Sequence, residues 1–108
     1  MSDTKKGARL RATAAEIVDA VTNDGKSLDR ELELREGRVA VEDRSLLRLL
    51  CFGSLRHHWR LGFWVDALLD RPMKARDSVV NALLAIGLYQ LNDTRIPDHA
   101  AVSQTVEA

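Results

Sequence analysis

A single cysteine, Cys51, is all the thiol chemistry this chain carries. One cysteine excludes an internal disulfide and any zinc site built on paired cysteines, and it fits a reducing, cytoplasmic setting. Aromatic residues are few, at 5% of the sequence. No apolar run approaches the roughly 20 residues that a membrane span needs, and the N-terminus has no signal-peptide pattern, so a soluble protein without a membrane partner is expected. Strand signals are missing as well. Ile17–Val18 and Val79–Val80 are the only adjacent β-branched apolar pairs, and no period-two alternation runs far enough for a strand. Without a strand, no glycine-rich phosphate loop can follow one, so no nucleotide cofactor is expected in this chain. No internal repeat or low-complexity segment is visible. Net charge is also absent: 16 Lys plus Arg balance 16 Asp plus Glu, a balance that on its face argues against a polyanionic partner.

What is present changes that last inference. Hydrophobic residues at 45% and charged residues at 30% favour one folded domain over residues 1–108 rather than a disordered chain. The charges are segregated. Residues 4 to 11 carry Lys5, Lys6, Arg9 and Arg11 with no acid, and residues 44 to 60 carry Arg44, Arg48, Arg56 and Arg60 with none. Between them, residues 24 to 43 hold seven acids against four bases. A local basic patch is compatible with zero net charge.

Apolar positions recur at helical spacing. Leu10, Ala14, Ile17 and Val21 form one stripe over residues 8 to 22, the pattern of an amphipathic helix with one buried face. "NDGKS" ends it, and Ser27 is a suitable N-cap for "LDRELELR", which Gly37 closes. A third helix has Glu42 and Asp43 in its first turn and Leu46, Leu50 and Gly53 on its inner line. Gly53 marks close packing, because a mid-helix glycine costs about 1 kcal/mol relative to alanine. His57 and Arg60 interrupt that line, so a break is expected within residues 57 to 62, where Gly62 also sits. "DRPMKARD" is a basic turn in which Pro72 ends the fourth helix. "SVVNALLAIGLYQL" is apolar around most of its circumference, as a central helix would be. Pro97 suits the start of the last helix, with His99, Val102 and Val106 as its stripe. The fold class is therefore all-α, a bundle of five or six helices.

Catalytic and metal chemistry find little support. Cys51 lies mid-helix between Leu50 and Phe52, where a cysteine is ordinarily a small core residue rather than a nucleophile. His57 and His58 are adjacent and so point roughly 100° apart, whereas paired metal ligands need three- or four-residue spacing. Neither a catalytic nor a metal residue is assigned. Glu31, Glu33, Glu42 and Asp43 read as solvated helix surface. The cations say more: Lys5, Lys6, Arg9 and Arg11 cluster at the start of the first helix, and Arg71, Lys74 and Arg76 occupy a turn. Such groups pair with phosphates, and "RHHWR" adds an aromatic face on which an unpaired base could stack. Two readings stay open at this point: RNA contact, or solubilising charge around a core containing Trp59, Phe63 and Trp64. Arg56 falls seven residues after Leu49, near the inner face, and is expected to hold a buried carboxylate or a helix end rather than RNA.

"LLRLLCFGSLRH", "RPM" and "GLYQLNDTRIPDHAAVSQTVEA", in that order and spacing, resemble the N-terminal domain of the RsmB (Sun/Fmu) family of methyltransferases, which form 5-methylcytosine in 16S ribosomal RNA. The likeness runs from about Arg9 to the last residue. That domain is similar to NusB, an all-helical RNA-binding fold, with which it shares "IPxxxAxxxxVE". The resemblance implies an accessory domain that recognises and positions ribosomal RNA. Catalysis would belong to a separate domain that binds S-adenosylmethionine, so this chain alone is not expected to be an enzyme. Cys51 matches the packing motif "CFG" and not the family's catalytic cysteine. By likeness to NusB, Arg9 and Arg11, with Lys5 and Lys6, would face RNA.

Two alternatives accompany that expectation. One is a protein-interaction module whose apolar faces, above all on the last helix, dock on the catalytic domain in cis, on a second copy or on a ribosomal protein. The other is a stand-alone NusB-type antitermination factor. The last helix shows no C-terminal stop signal, so the chain is expected to be a fragment ending inside or just after a helix.

Overall fold

The computed structural model describes residues 2–69 and 74–108. Among these residues there are six α-helices and no strand: α1 Ser2–Asp24, α2 Leu28–Arg35, α3 Arg44–Arg56, α4 His58–Leu68, α5 Ser78–Asp93 and α6 Asp98–Glu107. Short 3₁₀ turns at Glu36–Arg38, Val41–Asp43 and Ala75–Asp77 lead out of α2 and into α3 and α5. The all-α expectation holds. "RPM", with Pro72 and Arg71, lies outside the described residues.

Local chemistry accounts for most boundaries. α1 ends at Gly25, whose φ of 68° is the left-handed conformation that glycine adopts without strain, and the Lys26 N–H returns to the Ala20 carbonyl at 3.1 Å. Ser27 caps α2 by accepting from the Arg30 N–H at 3.4 Å. Glu42 and Asp43 belong to the 3₁₀ turn before α3 rather than to α3 itself. The expected break falls at His57, between α3 and α4, while Gly62 sits inside α4.

The packing order differs from the expected one. α1 touches α2, α3, α5 and α6, and Ala8, Leu10, Ala14, Ala15, Ile17, Val18 and Ala20 are all buried. Its alanines let neighbours approach on several sides, so α1, and not α5 alone, is the central helix. α5 contacts α1, α3, α4 and α6 but leaves Val80, Leu84 and Leu91 exposed. Leu47, Leu50, Cys51, Leu61, Val65 and Ile86 complete the core around it. Gly53 does mark a close approach: a Cβ there would overlap the ring of Tyr89 on α5.

The fold decides the direction of two features on α6 and α4 that the sequence left open. α6 turns Ala101 and Thr105 inward, while His99 is exposed and Val102 and Val106 are 50% and 80% exposed. The stripe was real but faces away from the core. On α4, Trp59 and Phe63 are 88% and 71% exposed, so they are not core, whereas Trp64 packs against it with the Arg60 guanidinium 5.0 Å from its ring centre.

Candidate nucleic-acid interface

The first turns of α1 divide their cations between surface and interior. Lys5, Lys6 and Arg9 are exposed, and together with Arg38, Val39 and Asp43 they line a groove of about 450 Å³ between α1 and the connection from α2 to α3. Lys6 pairs with Glu42 at 3.4 Å. The Glu42 carboxyl is held below its ordinary range, first by its own backbone N–H and then by Lys6. Arg38 bonds Glu16 at 2.7 Å. Arg9 and Lys5 have no carboxylate within salt-bridge distance among the described residues, which leaves them available to an incoming anion.

Arg11 is corrected. It is 2% exposed and cannot face RNA in this structure. Its Nε donates to Gln90 Oε1 at 2.8 Å, and its Nη1 donates to Gln104 Oε1 at 2.7 Å and to the Gly7 carbonyl at 3.1 Å. Gln90 Nε2 in turn donates to the Ile86 carbonyl and to Thr105 Oγ1. Burial pushes the Arg11 pKa down, and the charge of Asp43 opposes that shift. The arginine thus joins α1, α5 and α6 through a polar junction in which Nε and Nη1 are hydrogen-bonded, in a place where an unpaired charge would be costly.

The second predicted cluster lies elsewhere. Lys74 and Arg76 are exposed in and beside the 3₁₀ turn that enters α5, whereas Arg71 lies outside the described residues. α5 runs antiparallel to α1: Arg11 meets Gln90, while Thr22 and Asn23 share a small cavity with Ser78 and Asn81. Lys74 and Arg76 therefore sit near the far end of α1, roughly 25 Å along the axis from Lys5 at 1.5 Å per residue. The structure does not unite the two basic clusters. Arg38 joins the groove without any local signal, since only the tertiary fold brings residues 37 to 40 against α1.

Arg56 sits at a helix end, one of its two expected places, and not against a buried carboxylate. It is exposed at the last residue of α3, with no carboxylate within salt-bridge distance among the described residues. Cys51 is fully buried, and desolvation pushes its thiol up to about 12, which keeps it protonated and unreactive at neutral pH. Among the described residues no group of three or more His, Cys, Asp or Glu is placed to hold a metal, and no helix is long and apolar enough to cross a membrane.

One further surface is apolar. Val102 and Val106 line a groove of about 370 Å³ with Val65, Leu68, Leu84 and Leu91.

Comparison with known proteins agrees with this architecture. Ribosomal RNA small subunit methyltransferase B of Cronobacter sakazakii (strain ATCC BAA-894) is 41% identical over 103 residues, which are 95% of this chain and 24% of that protein. The proteins of the same name from Escherichia coli O139:H28 (strain E24377A / ETEC) and Shigella boydii serotype 18 (strain CDC 3083-94 / BS512) are 43% identical over the same shares. The chain spans about a quarter of the length of these curated relatives. The NusB family model matches residues 8–108, nearly the whole described bundle, and the chain belongs to the NusB family.

Proposed function

We propose that this chain is an RNA-binding accessory unit that positions 16S ribosomal RNA for 5-methylcytosine formation by a methyltransferase domain of a longer protein. The observation that carries it is the groove in which Lys5, Lys6, Arg9 and Arg38 converge at one end of α1. Exposed lysine and arginine heads there meet phosphates without reading sequence, and so fix the register and orientation of the RNA. Lys74 and Arg76 form a second contact region, and a strand touching both must follow α1 for about 25 Å. In this proposal the catalytic domain acts in cis and binds S-adenosylmethionine, and this chain contributes no reacting group.

The test is the affinity for fragments of 16S ribosomal RNA as a function of salt. Several phosphate contacts to single-stranded segments predict a slope of about −0.7 per phosphate in log affinity against log salt. A flat dependence, or binding indifferent to Lys5→Ala and Arg9→Ala together, overturns the proposal.

The apolar groove supports a second reading, a protein-interaction module. Val102 and Val106 face away from the core into that groove, as a docking helix would. Light scattering after size-exclusion chromatography, with and without Val106→Ser, distinguishes self-association from a monomer that leaves the groove to the catalytic domain or a ribosomal protein. A stand-alone antitermination factor is a third assignment, and the length of open reading frame beyond Ala108 decides it.

A further inference from the structure

We infer that the outer face of α4 is a stacking platform for unpaired nucleobases, distinct from the phosphate groove on α1. The inference deepens the RNA-binding proposal and rests on it for the identity of the natural ligand. Trp59 and Phe63 stand one helical turn apart and are 88% and 71% exposed. Two large aromatics with so little protein around them are unusual on a monomer surface, where bulky apolar groups are normally shielded. Trp64, the next residue, packs inward under Arg60, so the helix has sorted its aromatics and left two facing out.

The charge around them selects the partner. Residues 44 to 65 contain no acid, and Arg56 is exposed in the last turn of α3, three residues before Trp59. His58 meets the Trp59 ring edge-on with centroids 5.5 Å apart. Arg60 is neutralised by Asp93 and lies over Trp64, so it is spoken for. Asp66, one turn beyond Phe63, is the nearest acid on α4 itself. A single strand needs π-faces for its bases and cations for its backbone. Trp59 and Phe63 supply the first and Arg56 the second. A duplex, whose bases are already stacked, cannot use the aromatic pair.

The test uses the 108-residue chain with Trp64→Phe, which leaves Trp59 as its sole tryptophan. A short oligoribonucleotide without self-complementarity should quench Trp59 fluorescence, and the same strand annealed to its complement should not. Trp59→Ala should weaken single-strand binding by roughly 5- to 150-fold, the range for losing one base–aromatic stack, with the salt slope unchanged. Trp59 is so exposed that the variant keeps its fold, which circular dichroism verifies. Equal binding of strand and duplex, or wild-type affinity in Trp59→Ala, overturns the platform even if ribosomal RNA still binds with a steep salt slope through α1. A Trp59→Ala variant that instead loses self-association, with single-strand affinity intact, makes α4 a protein interface and overturns it equally. Quenching by an arbitrary strand without preference for ribosomal RNA keeps the platform and removes the assigned target.

Discussion

Arg9 and Arg11 stand two residues apart on α1 and have opposite fates. Arg9 projects into the surface groove beside Lys5 and Lys6, while Arg11 is buried among Gln90, Gln104 and the Gly7 carbonyl. Two residues on a helix differ by roughly 200° of rotation, and here that angle separates solvent from the junction with α5 and α6. Residue type therefore does not decide whether an arginine binds a ligand or the protein itself. Phase on the helix does, together with what packs against that phase.

The contrast can be broken from the inside first. Arg11→Ala leaves Gln90 Oε1 and Gln104 Oε1 without their charged donor and opens a void, so urea unfolding should show a loss of about 3 kcal/mol. RNA salt slope should be unchanged, because Arg11 is only 2% exposed and its guanidinium is engaged by Gln90, Gln104 and the Gly7 carbonyl. Gly53→Ala tests the same interior. Its overlap with the Tyr89 ring costs about 1–3 kcal/mol, against about 1 kcal/mol regained in helix propensity, so a net loss of up to about 2 kcal/mol is expected in thermal or urea unfolding.

Cys51 reports on interior access without disturbing it. Its folded pKa is raised from an ordinary 9.0 to about 12 by burial. The protonated thiol is the form the fold favours, so its contribution to stability is whole below pH 9 and is lost as pH rises toward 12. Cys51→Ala should flatten that part of the alkaline decline in unfolding free energy. At neutral pH a thiol reagent should modify Cys51 only at the rate of opening, and rapid labelling of the native chain would contradict the buried placement. The surface half of the contrast gives the smallest stability effect. Lys5→Ala and Arg9→Ala should each change unfolding by less than about 0.5 kcal/mol, yet each should reduce the salt slope of RNA binding by about 0.7.

Much of the bundle was legible in the sequence because its signals are local. The cap at Ser27, the turn at Gly25, the break at His57 and the inner line through Leu50 and Gly53 depend on neighbours within a few residues. The stripe on α6 was legible as a stripe but not as a direction. Val102 and Val106 recur at helical spacing whether they meet a core or an open groove, and only Ala101 and Thr105 turned out to pack. The same ambiguity applied to Trp59 and Phe63, since an aromatic at helical spacing reads as core until neighbours are placed around it.

The candidate site was legible only in part. Lys5, Lys6 and Arg9 could be picked out as an acid-free cluster, and their grouping survives. Arg38 could not, because it reaches the groove through residues far along the chain. The separation of Lys74 and Arg76 from α1's first turns likewise follows from the antiparallel run of α1 and α5. The sequence by itself determined helix content, most helix ends to within a turn, the lack of strand among the described residues and the local charge blocks, all set by backbone propensity and spacing over a turn or two. Tertiary structure alone decided which phase of each helix is covered. Burial depends on what another segment brings to that face, and for Arg11 the partners Gln90 and Gln104 lie 79 and 93 residues away.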